Sequence, residues 1–142
     1  MAEAIGLATS IVGLIDATTK ILYYVNTIQD AQKDANQFAS EASSNLSLLF
    51  RLKQRLDNPK TSPEWQSVVS QSVGDILMQV EAGLVELVTE LQLDSTGLKK
   101  FRRKLLWPIF KADFKDMLDR IQRLNTLVGL ALDDNLTWVL FN

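Results

Sequence analysis

The chain has 142 residues, 46% of them hydrophobic, with 15 Lys and Arg against 17 Asp and Glu and neither Cys nor His. That composition suits one globular domain with enough apolar residues for its own core. Without Cys there is no disulfide, zinc–thiolate or iron–sulfur ligand and no thiol nucleophile. Without His the commonest general base and transition-metal ligand are missing too.

Three prolines, Pro59, Pro63 and Pro108, divide the chain into long proline-free stretches, which suits helices. The apolar spacing between breaks is helical throughout. The first segment runs Leu7, Ile11, Leu14, Thr18, Ile21, Val25, Ile28, and the second Ala35, Phe38, Ala42, Asn45, Leu49, Leu52, Leu56. Asp57 to Pro63 reads as a loop in which Ser62 caps the next helix, Pro63 takes its first position and Glu64 complements its dipole. The third segment runs Trp65, Val69, Val73, Ile76, Val80, Leu84, Leu87, Leu91, and Asp94-Ser95-Thr96-Gly97 breaks it. After a kink or junction at Trp107-Pro108 the last stripe is Phe110, Phe114, Met117, Ile121, Leu124, Val128, Ala131. The spacing predicts helices over 3–29, 34–57, 63–92, 97–107 and 108–132, with a further short one over 135–141. The apolar end Leu136-Thr137-Trp138-Val139-Leu140-Phe141 either packs on the bundle or marks the approach to a following region. The expected fold is all-α, a single domain folded as an up-and-down bundle of four to five helices. Asn45 falls on an apolar seam, where it either fixes register or faces a gap.

Residues 4–15 carry no charge and are bounded by Glu3 and Asp16. Twelve helical residues span roughly 18 Å, short of the ~30 Å hydrocarbon core, so this is no constitutive transmembrane helix. Glu3 stands where a signal peptide would be basic. Ala2, Gly6, Ser10, Gly13 and Ala17 form a small-residue stripe opposite the large one. Glycines inside a helix cost ~1 kcal/mol each relative to alanine. Either a neighbouring helix approaches closely there, or the helix can leave the bundle and assemble with copies of itself in lipid.

The charge is uneven. Residues 1–98 hold six Lys/Arg and twelve Asp/Glu, whereas residues 99–142 hold nine and five. Lys99, Lys100, Arg102, Arg103 and Lys104 crowd five cations into six residues beside Phe101, Leu105 and Trp107. Such a run is a solvated helix face, an anionic-membrane patch or a phosphate-binding patch for nucleic acid. The acidic body and the lack of any nucleic-acid-binding motif disfavour the last.

No P-loop, no G-x-G-x-x-G and no G-x-S-x-G occurs. The acidic pairs Glu86/Glu90, Asp113/Asp116 and Asp133/Asp134 lack the histidines of a di-metal bundle. Asp113 and Asp116 alternate with Lys111, Lys115 and Arg120 as in surface ion pairing. No catalytic residue, metal or cofactor is expected, and the protein reads as a non-enzyme.

The opening Met1-Ala2-Glu3-Ala4-Ile5-Gly6-Leu7-Ala8-Thr9-Ser10-Ile11-Val12-Gly13-Leu14-Ile15 resembles the N-terminus of fungal HeLo-like domains, which stand at the front of fungal STAND/NOD-like receptor proteins. Trp107-Pro108-Ile109-Phe110-Lys111-Ala112-Asp113-Phe114, Met117 to Ile121 and Leu130-Ala131-Leu132 are similar to that family's last helix. The resemblance implies a cytoplasmic cell-death or incompatibility effector of innate immunity. Such a domain oligomerises with itself when an upstream receptor or amyloid-signalling protein clusters it, and moves to the plasma membrane. By position, Ile5, Gly6, Leu7, Ile11, Val12, Gly13, Leu14 and Ile15 would be the membrane-active segment. The anionic-lipid patch at Lys99, Lys100, Arg102, Arg103 and Lys104 is read from charge and not from the resemblance. The alternative is a soluble homotypic adaptor that binds protein partners and no lipid.

Overall fold

The computed structural model describes the backbone of residues 2–28, 34–91 and 100–133 and the side chains of residues 6–28, 35–91 and 106–133. Among the described residues four helices form an all-α bundle: α1 (Ala2–Ile28), α2 (Asp34–Asp57), α3 (Pro63–Glu90) and α4 (Lys100–Leu132). The stripes read from the spacing are the core. Every one of their residues is buried except Phe110, which packs half-exposed at the edge. The start of α3 is built as its residues dictate. Ser62 is extended (φ −65°, ψ 136°), its Oγ accepts the Trp65 N–H at 3.0 Å, and Pro63 opens the helix.

One boundary differs from expectation. The helices expected over 97–107 and 108–132 are one helix, which runs through Pro108. Proline removes one intrahelical donor and crowds the carbonyl a turn back. Here buried Trp107 is anchored on Phe114 at 4.6 Å between ring centroids, so packing on the C-terminal side of the proline holds the preceding turn in line. Residues 97–99 and the short helix expected over 135–141 lie outside the described residues.

Helix directions alternate along the chain, but sequence neighbours are not all spatial neighbours. α1 packs on α2 and α3, and α4 packs on α2 and α3, while α1 and α4 touch only lightly. Consecutive α2 and α3 are therefore placed across a diagonal, joined by residues 58–62. The register shows two parallel pairs. Gly13 of α1 faces Glu81 of α3. On the other side Asn45 and Arg55 of α2 reach Asn125 and Leu132 of α4. Antiparallel α3 and α4 meet where Met117 covers Gly83 and where Trp65 Nε1 donates to the Ala131 carbonyl at 3.1 Å.

Asn45 is fully buried on its seam, its Oδ1 without a partner and its Nδ2 paired across to α4. Its Nδ2 donates to Asn125 Oδ1 at 2.8 Å, and Asn125 Nδ2 donates to the Glu41 carbonyl oxygen and to Glu41 Oε2, both at 3.2 Å. Sliding α2 along α4 by one turn would strand these amides in apolar surroundings, so the pair specifies one alignment. Replacing Asn125 by alanine leaves the Asn45 amide buried without that acceptor and is expected to cost about 1–3 kcal/mol. In a urea-denaturation cycle, Asn45→Ala with Asn125→Ala is expected to cost less than the two single losses added together.

Candidate functional site

The segment from residue 5 to residue 15 is an integral side of the bundle. Leu7, Ile11 and Leu14 are in the core, Ile15 packs partly buried against it, and Gly6 and Val12 are exposed. Ile5 lies on the same helix. The small-residue stripe turns toward α3, which supports the close-neighbour reading. A Cβ added at Gly13 would sit 2.8 Å from Glu81 Oε2 and 3.1 Å from its Cδ, and Ala17 is buried. Glycine at 13 is therefore what admits the Glu81 carboxyl against α1.

That contact is not a tightly closed one. Toward the start of α1, Gly6 and Ser10 face Ser70 and Gly74 of α3 across an open groove of about 340 Å³, and a Cβ at Gly6 or Gly74 would meet nothing within 4 Å. Ser70 Oγ and Glu81 Oε2 are buried with no hydrogen-bond partner, as is Thr18 Oγ1 further along α1. Burial pushes the Glu81 carboxyl above its ordinary pKa of 4.5. The groove and the two unpaired α3 groups, Ser70 Oγ and Glu81 Oε2, weaken the α1–α3 contact locally, because voids lose dispersion contacts and unpaired buried polar groups keep their desolvation penalty.

The basic run is at the other end of the molecule. Lys100, Arg102, Arg103 and Lys104 open α4, while Lys99 lies outside the described residues. With helix directions alternating, α1 and α4 start at opposite ends. Tyr24 near the end of α1 stacks on Phe114 with centroids 6.0 Å apart. Counting helical rise from that contact sets Gly6 and Lys100 on the order of 50 Å apart. The structure thus does not bring the two sequence-predicted segments together.

The acidic pairs partly converge. Glu86, Glu90, Asp113 and Asp116 line a groove of about 190 Å³ between α3 and α4, where Arg120 bridges Asp116 at 3.3 Å. Desolvation, then Glu86 and Asp113, push the Glu90 carboxyl up. Among the described residues no group of three or more metal-ligating side chains could hold an ion, and no helix is long and apolar enough to cross a membrane.

Sequence reasoning missed the α3 side of the contact, namely Ser70, Gly74 and Glu81. Gly74 inside a long helix was the available signal, but spacing within α3 does not say which helix it faces. No family model, curated protein or solved structure matches this chain.

Gly6→Ala and Gly74→Ala fill open space while removing a glycine from a helix, and each is expected to stabilise the fold by up to about 1 kcal/mol in chemical denaturation. Glu81→Gln tests the buried carboxyl. Its raised pKa means the folded state holds that proton more tightly than the unfolded chain. The group's contribution is therefore full below pH 4.5 and is lost as pH rises through the raised pKa. Thermal melts are expected to show Glu81→Gln above the parent at pH 7, with the gap closing as the pH is lowered through that window.

Proposed function

We propose that this bundle is a non-enzymatic, membrane-directed effector of the HeLo-like kind, which oligomerises and delivers the first half of α1 to a bilayer. The observation that carries the reading is the way α1 is held. Its first half is uncharged from residue 4 to residue 15 and is seated on α3 across a gapped face with orphaned polar groups. The groove and the unpaired polar groups lower what the start of α1 loses on its α3 side when it leaves, although α3 is the helix on which α1 packs most extensively. Its apolar stripe, Leu7, Ile11 and Leu14, then needs a new apolar environment, which lipid or another copy of the helix supplies.

The opposed positions of the two segments constrain how this works. Docking on an anionic cytoplasmic leaflet through the start of α4 holds the start of α1 away from that surface. Insertion thus requires α1 to separate from the bundle, and clustering of several copies by an upstream receptor or amyloid-signalling protein favours that separation by offering partner helices. In this scheme the resting protein is cytoplasmic and the activated one is at the plasma membrane.

The test uses Val12. Deleting residues 1–15 would remove Leu7, Ile11 and Leu14 from the core, each a loss of about 2–5 kcal/mol even as an alanine truncation, and would confuse unfolding with loss of function. Val12 is 51% exposed, so Val12→Glu places a charge in the uncharged segment while leaving stability within about 0.5 kcal/mol. Artificially clustered protein is expected to release dye from vesicles containing phosphatidylserine, and Val12→Glu to abolish the release with an unchanged melting temperature. Equal leakage by both proteins would remove α1 from the mechanism. A second reading, the soluble adaptor, draws on exposed Tyr23, Phe50, Met78 and Ile109, one on each helix, as separate contact points for partners. Self-association with no vesicle binding at all, even when clustered, would select it.

A further inference from the structure

A second groove, of about 400 Å³, opens between α2 and α4. Phe38 of α2 and Trp107 and Phe114 of α4, all almost fully buried, form its floor, partly exposed Leu118 of α4 supplies its apolar wall, and Lys111 and Lys115 supply its exposed cationic edge. The aromatic side is rigid. Phe38 meets Phe114 edge-on at 5.0 Å between centroids and Trp107 lies tilted on Phe114 at 4.6 Å, so the three rings brace one another. Trp107 is only 2% exposed, yet its Nε1–H is buried without a hydrogen-bond partner. Tryptophan N–H groups usually find an acceptor when buried, and this one lies on a ring that lines an unfilled groove.

Lys111 follows Trp107 by one helical turn and Lys115 follows by two, so indole and ammonium groups run along one face of α4. The volume lies within the range of small-molecule sites, and the groove joins an apolar floor to a polar edge made by Gln37, Lys111, Lys115, Asp119 and Gln122. We infer that this groove binds an amphiphile with one acidic head group, its apolar body against Phe38, Phe114 and Leu118 and its head beside Lys111 and Lys115. Asp119 and Gln122 line the groove too, and the Asp119 carboxylate repels an acid there. The head is therefore placed at the lysines nearer Trp107, with the chain running toward Leu118. The inference stands apart from the membrane reading: a protein that leaves vesicles intact would still bind the free amphiphile.

Isothermal calorimetry on the whole protein, with dodecanoate, dodecyl phosphate and dodecanol below their aggregation concentrations, tests it. One-to-one saturable binding of at least one acid is expected, with dodecanol at least about tenfold weaker. A preference between carboxylate and phosphate identifies whether a fatty acid or a lipid phosphate is the better ligand. Lys111→Gln with Lys115→Gln is expected to weaken the acid about tenfold. Leu118→Trp, which fills the groove from a partly exposed position, is expected to abolish binding while the protein still melts cooperatively. Absence of saturable binding by either acid overturns the inference. Equal affinity for dodecanol, or unchanged binding by the folded Leu118→Trp protein, does so too.

Discussion

The arrangement rests on how α3 leaves α2. Residues 58–62 carry the chain across the bundle instead of folding α3 back along α2, and Trp65 anchors the arrival. Its Nε1 donates to the Ala131 carbonyl near the end of α4, while the Arg55 guanidinium from α2 lies over its ring at 4.2 Å and reaches the Leu132 carbonyl at 3.4 Å. A buried indole and a guanidinium thus satisfy carbonyls in the last turn of α4, where intrahelical donors run out. Three helices are tied at one end, and α3 is committed to lie between α1 and α4.

This crossing makes α1 and α3 parallel neighbours, and it gives α1 two unlike sides. Toward the core it presents Leu7, Ile11, Leu14, Ile21, Val25 and Ile28, all buried. Toward α3 it presents small residues that meet a carboxyl at one level and an open groove at another. Close-packed interiors lose stability where contact is missing, so the groove at the start of α1 is the weak stretch of an otherwise extensive contact. The proposed function depends on this inequality and not on the apolarity of α1 alone, since every core helix of a bundle is apolar on one side.

At the opposite end, α4 does two jobs along one continuous helix. Its last turns close the bundle through Met117, Ile121, Leu124, Val128 and Ala131, and its first turns carry the basic run outward past Trp107. The aromatic contacts among Tyr24, Phe38, Trp107 and Phe114 draw α1, α2 and α4 together at that end. The acidic body and basic third read from composition are not cleanly separated along the molecule: antiparallel α3 and α4 gather Glu86, Glu90, Asp113 and Asp116 toward the end of the bundle where the basic run opens α4.

Helical period, apolar stripes and the Ser62–Pro63 helix start were legible in the residues because they depend on neighbours within a turn or two. The same local rules identified the uncharged segment and the basic run. They misread Pro108 as a boundary, because whether a helix survives a proline depends on what packs on either side of it. By itself, then, the sequence determined that the chain is a helical bundle and which face of each helix is inward. It also determined where the unusual segments are along the chain. Only the tertiary structure decided that α1 lies beside α3, that Gly13 admits Glu81 while Gly6 faces open space, and that Asn45 finds Asn125. It alone set the uncharged segment and the basic run at opposite ends. The reason is physical: periodicity says that a face must be covered, and many neighbours would cover it, so the choice among them is made by the link across the bundle and by polar groups that find partners in only one alignment.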